Sequence, residues 1–203
     1  MKSLSEIDTI SKRASKAVGF SWGEAEEIGK CIRHLELFGL QGIKNLINYY
    51  QLKKNQKFEN LDLISEKNIS KKNPYCPIKL GINFLDQIRN IEKYKKITFN
   101  KVAFPLLMIS FLSKSSEIIG KKINVKFNDV KFLLNLNVSI SSNLLDNNIP
   151  INAEDIEINI IENLDNFSEK DWKSLYKISE QTFVEETESL KQSAAGAGLT
   201  DND

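Results

Sequence analysis

The chain has 203 residues, 41% of them hydrophobic and 27% charged, with 28 basic against 27 acidic side chains and a formal net charge of +1. That length suits one domain, or one domain with a small appendage, at roughly 100–200 residues per domain, folding on its own core without disulfides or a structural metal. Near-neutrality removes the electrostatic reason to expect nucleic acid or an anionic membrane as partner, and Cys31, Cys76 and one histidine cannot supply the usual four-ligand zinc spacings.

Ser3 and Glu6 stand at capping-box spacing, and Ile7, Ile10, Ala14, Ala17 and Val18 recur at helical spacing before Gly19. This predicts a helix over 4–18. A second helix over 21–39 is better marked still, with Ser21 and Glu24 as its capping box and Gly39 as its stop. At about 100° per residue, Ala25, Ile28, Cys31, Ile32 and Leu35 share one side. Glu26, Lys30 and Arg33 fall opposite, flanked by Glu27 and His34. A third helix over 41–51 is expected to bury Ile43, Leu46, Ile47 and Tyr50.

From 52 to 77 the periodicity dissolves into loop chemistry, the expected mobile segment or internal boundary, although Leu61, Leu63 and Ile64 suit a short strand or helical turn. Phe84, Leu85, Ile88 and Ile91 predict a short helix over 84–94. The apolar run 102–112 is about half a bilayer crossing and contains Pro105 and Ser110. Pro105 argues against a central strand, and the alternative is a buried helix from Leu106 to Ile119 ending at Gly120. Strands are expected over 123–127, 131–140 and 156–161, the first two joined through Asn128 and Asp129. Ser168 with Asp171 opens a last helix to about 183, through Trp172, Leu175, Tyr176 and Ile178.

These elements predict an α+β fold: N-terminal helices packed with an antiparallel or mixed β-sheet, a C-terminal helix, and a flexible glycine- and acid-rich tail. The expected organisation is a single domain over 1–184, helical over 1–51, irregular over 52–77 and mixed over 78–184, with the tail at 185–203. The opening residues lack the apolar core of a signal peptide. A cytoplasmic protein with reduced thiols follows, with no membrane contact.

Candidate chemistry concentrates on the second helix. Glu26 and Glu27 are paired carboxylates beside Lys30, Arg33 and His34, the neighbourhood in which pKa values separate and general acid–base sites arise. Spacing alone favours a solvated face of i,i+4 pairs. His34 near a helix C-terminus suits compensation of the helix dipole. Cys31 falls on the apolar side as a packed thiol, whereas Cys76, between Tyr75 and Pro77, is better placed for reactivity. Trp22 beside Gly23 is an anchor for the first turn or a stacking wall over free amides. At the far end Gly196, Gly198, Thr200, Asp201, Asn202 and Asp203 offer many oxygen atoms on a hinge, without the Gly-Lys-Ser/Thr of a phosphate-binding loop. The lysines at 53–57 and 71–72 lack interleaved aromatics apart from Phe58 and Tyr75, so no nucleic acid is expected.

The stretches LSEIDTISKRASKAVGFSWGEAEEIGKCIRHLELFGLQG and GAGLTDND resemble an uncharacterised bacterial family, the domain of unknown function 3726. The likeness covers the first 42 residues and the last ten. It implies a place in bacterial metabolism and a task for both ends. The resulting expectation is a small enzyme acting on an anionic metabolite. Glu26 or Glu27 is its general base, Lys30 and Arg33 hold the anion, and Trp22 and the tail complete the site. The competing class is a non-catalytic accessory subunit docking on a larger metabolic enzyme. No motif specifies a cofactor.

Overall fold

The computed structural model describes residues 2–144 and 149–182. By their contacts the described residues divide after Asn163 into two units.

Helix α1 (Leu4–Ala17) and helix α2 (Trp22–Leu37) both start on complete capping boxes, Ser3 with Glu6 and Ser21 with Glu24. They pack through small residues rather than through the apolar stripe expected of α1. Ser11 and Ser15 are its buried positions, while Ile10 is 62% exposed. Gly29 of α2 explains the choice: a Cβ there would stand 2.8 Å from the Asp8 carbonyl oxygen, so the helices approach closer than large side chains allow. Helix α3 (Gly42–Lys53) is rotated in the same way. Gly42, Leu46 and Tyr49 face inward and Ile43 and Ile47 are exposed, because Gly42 seats directly on Leu35 of α2.

Residues 54–76 are irregular but stitched down. The Glu59 carboxylate accepts the backbone N–H groups of Lys71, Lys72 and Asn73 at 2.7–3.0 Å, which holds its carboxyl below the usual range. Asn100 accepts from both the amide and the hydroxyl of Ser70. Strand β1 (Lys67–Asn68) lies parallel to β2 (Lys96–Ala103). Helix α4 (Pro77–Ile91) starts before the predicted residue 84 because Cys76 serves as its N-cap, its sulfur accepting the Lys79 N–H at 3.4 Å, and Pro77 occupies the first position, where its missing donor costs nothing.

After β2 the chain turns at Phe104, a non-glycine residue at φ +43°, and Pro105 precedes helix α5 (Leu106–Ile119), which ends on left-handed Gly120. This is the buried-helix alternative. Its residues 106–113 are all buried, as befits a helix that is apolar nearly all round. α5 lies between the sheet and the helices α2, α3 and α4.

The sheet continues with β3 (Lys122–Phe127), β4 (Val130–Asn135), β5 (Ser139–Ser142) and β6 (Asn152–Ile161), in the order β1-β2-β6-β3-β4-β5. All pairs except β1–β2 are antiparallel, so the sheet is mixed. The single strand expected over 131–140 is a hairpin, turned by Leu136 at φ +49° and Asn137 at φ +60°. The end of α5 secures that turn, through the Ser116 hydroxyl accepting the Leu136 N–H at 2.8 Å and Glu117 accepting from the Asn137 side chain at 3.1 Å.

One face of the sheet is buried, including Ile97, Phe99, Val125, Phe132, Ile156 and Ile158. Along β6 the buried phase shifts between Ala153 and Ile156, where Asp155 takes φ +52°. In the second unit, helix α6 (Glu169–Ser179) starts on a capping box of Ser168 with Asp171 and is followed by a 3-10 turn at Glu180–Thr182. The rings of Phe167 and Trp172 stack at 5.7 Å.

Candidate functional site

The charged face of α2 is divided between two neighbours. Toward α1, Glu26 pairs with Lys12 at 3.7 Å and with Lys30 at 3.4 Å, and Arg33 reaches Asp8 at 3.3 Å. Trp22 is 59% exposed at the start of the helix, with the Lys16 ammonium 5.4 Å from its ring centroid. Toward α5, Glu27 takes Lys30 on one oxygen at 2.8 Å and Lys114 on the other at 3.3 Å. Lys30 therefore links the two glutamates.

On that second side lies a cleft of about 150 Å³. α2 contributes Glu27, Lys30, Cys31, Arg33 and His34 to it, α5 contributes Ser110, Phe111 and Lys114, and Asn137 of the β4–β5 turn closes one end. Of the residues expected to act together, the cleft collects Glu27, Lys30 and Arg33; Glu26 and Trp22 do not line it. Gly196, Gly198, Thr200, Asp201, Asn202 and Asp203 lie outside the described residues.

Burial on its own raises the Glu27 carboxyl, but the hydrogen bond from Lys30 and the charges of Lys114 and Lys30 outweigh it and hold the group below its ordinary range. The same contact with Glu27 raises Lys30. Burial pushes the Cys31 thiol up to about 12, and its sulfur donates to the Leu107 carbonyl at 3.3 Å. Cys31 is thus an inert packed thiol. His34 is half-buried. Its Nδ1 lies 3.0 Å from the Ser110 hydroxyl and its ring meets Phe38 edge-on at 4.9 Å. Its Nε2 is buried without a hydrogen-bond partner among the described residues, although the nearby Asn137 backbone favours a charge on the ring.

Burial lowers the His34 pKa below its ordinary 6.5, so the ring is neutral at pH 7. The unfolded chain then binds the more protons as the pH falls below about 6.5, and the stability that neutral His34 contributes is lost through its folded pKa. A proton NMR titration of the single histidine is expected to show a midpoint below 6.5, and His34→Gln is expected to flatten the pH dependence of unfolding below about pH 6.5. A midpoint above 6.5 contradicts this account of the site.

Sequence spacing reaches only the α2 half of the cleft. Ser110 and Lys114 are the missing half, and their signal was present: they are one helical turn apart within the most apolar helix of the chain. Asn137 gave no such sign. Among the described residues no group of three or more His, Cys, Asp or Glu side chains is placed to hold a metal ion, and no helix is long and apolar enough to cross a membrane.

The family described as "Protein of unknown function (DUF3726)" matches residues 2–76. The resemblance thus takes in α1, α2, α3 and the stitched segment up to the cap of α4, including every α2 residue of the cleft. It ends before Ser110, Lys114 and Asn137, and before the carboxyl-terminal GAGLTDND. Searches of curated proteins and of solved structures return no match.

Proposed function

We propose that the chain is a small enzyme of bacterial cytoplasmic metabolism that acts on an anionic metabolite held between α2 and α5, with Glu27 as general base. The observation that supports this reading best is the gathering of one carboxylate, three cations and the only histidine around a single small cleft. Lys30, Arg33 and Lys114 suit a carboxylate or phosphate group. The cleft is smaller than the roughly 300–1,000 Å³ sites that enclose drug-sized ligands, so it suits the charged end of a small substrate.

The electrostatics supply a mechanism. Two ammonium groups beside Glu27 keep it ionised and weakly basic. An incoming anion draws both lysines to itself, burial then dominates, and the carboxylate becomes a stronger base as the substrate arrives. Neutral His34, with Ser110 on Nδ1, is a second proton-handling group at the same wall. Glu26 and Trp22 support the face from outside.

Succinate and inorganic phosphate titrated onto the full chain are expected to shift the His34 resonance. Lys30→Met with Lys114→Met is expected to abolish the shift. Glu27→Gln, which frees Lys114 and leaves Lys30 with Glu26 alone, is expected to bind the anion several-fold more tightly. A wild-type resonance unmoved at millimolar anion, or weaker binding by Glu27→Gln, overturns the reading.

A second reading, an accessory subunit that docks on a larger enzyme, is supported by α6. None of its residues is buried, and Trp172, Leu175 and Ile178 are each more than half exposed. Such an apolar face is typical of interaction surfaces, and recovery of a stoichiometric partner from native cells would favour this class.

A further inference from the structure

A second depression, of about 400 Å³, opens where the α1–α2 joint, the end of α3 and the start of α4 meet, and shares no residue with the α2–α5 cleft. Its walls are aromatic. Phe20, Tyr49 and Phe58 line it, with Tyr49 and Phe58 centroids 5.2 Å apart. Its floor is closed by Cys76, which is 4% exposed and whose sulfur lies 3.0 Å from the Tyr49 hydroxyl. Thiol and phenol satisfy each other there, which leaves the floor without a free polar group.

The rim is cationic. Lys79 is paired with Glu24. Lys53 stands 4.0 Å from the Phe20 ring centroid and reaches the Val18 carbonyl at 3.4 Å. Neither Lys53 nor Lys57 has a carboxylate partner among the described residues. Two ammonium groups without carboxylate partners thus line a depression with aromatic walls, and one of them, Lys53, stands over a ring. An inorganic anion gains nothing from the rings, and a neutral ring gains only a weak cation–π contact from the lysines. A ligand with both features uses the whole surface, and the volume lies in the range of small-molecule sites.

We propose that this depression binds a ring-bearing organic anion, an aromatic carboxylate, sulfonate or phosphate, with its ring against the half-buried Phe58 and its acidic group between Lys53 and Lys57. The proposal is independent of the α2–α5 cleft.

The probe is 1-anilinonaphthalene-8-sulfonate, an aromatic sulfonate whose fluorescence rises in apolar sites, titrated onto the full chain. One saturable site is expected, weakened by added salt. Lys53→Glu with Lys57→Glu, both on the rim, is expected to weaken it roughly tenfold or more. Ile10→Ser, in the separate apolar depression over α1, is expected to leave it unchanged. Absence of binding, binding indifferent to the lysine reversals, or binding lost in Ile10→Ser overturns the proposal.

Discussion

Phe104→Ala is expected to lower the unfolding free energy by about 3–5 kcal/mol, the range for deleting a buried phenylalanine ring. Phe104 is 1% exposed and its ring packs edge-on against Tyr49 at 5.8 Å. It also sits at the corner where β2 becomes α5, so the cavity would open between strand, helix and α3 together. Its φ of +43° adds a second effect. A left-handed residue with a Cβ is strained by roughly 1–2 kcal/mol, and alanine retains that strain while losing the ring. Phe104→Gly is therefore expected to be no worse than Phe104→Ala and to recover up to about 1 kcal/mol, the reverse of the usual order. Urea unfolding of the three proteins measures both differences. A loss below about 1 kcal/mol in Phe104→Ala contradicts the packing account.

Gly81→Ala is expected to cost about 1–3 kcal/mol, the range for overpacking a filled core. The added Cβ would stand 2.8 Å from Cγ and 3.1 Å from Cβ of Phe111 on α5. Those are the base of a side chain that is 3% exposed, not a mobile end that swings aside. Relief has to come from separation of α4 and α5. Phe111→Leu in the same chain is expected to recover part of the loss, so that the double variant is less damaged than the sum of the singles. Because α5 also carries Ser110 and Lys114, the separation is expected to displace the His34 resonance in Gly81→Ala. A strictly additive double variant contradicts the close approach.

Most of the element order was legible because it is written locally. Ser3 with Glu6, Ser21 with Glu24 and Ser168 with Asp171 carry their own start signals, and all three form complete capping boxes. What escaped was set by neighbours distant in sequence. Leu136 has no turn preference, yet it takes a left-handed conformation because Ser116 accepts its N–H. Cys76 is an unusual cap, and only Pro77 after it hints at a helix start. The inward faces of α1 and α3 are chosen by Gly29 and Gly42, which let helices approach until serines and a tyrosine make the contact and isoleucines are left outside. The site divides along the same line. The α2 residues were visible as a cluster, but their partition between Lys12 and Asp8 on one side and Lys114 on the other depends on which helices flank α2.

The position of β6 has a consequence for how this protein comes into being. Among the described strands it is the last to be synthesised, yet it lies between β2 and β3, which pair with it and not with each other. Until residue 161 is available, both strands wait with unpaired backbone edges, a state prone to aggregation in a growing chain. The helices made first are no refuge, since α2 and α3 pack on α5 and β1 pairs with β2. The segment that resembles a family, residues 2–76, is therefore an unfinished surface when it leaves the ribosome. Its maturation depends on sequence that the resemblance does not include.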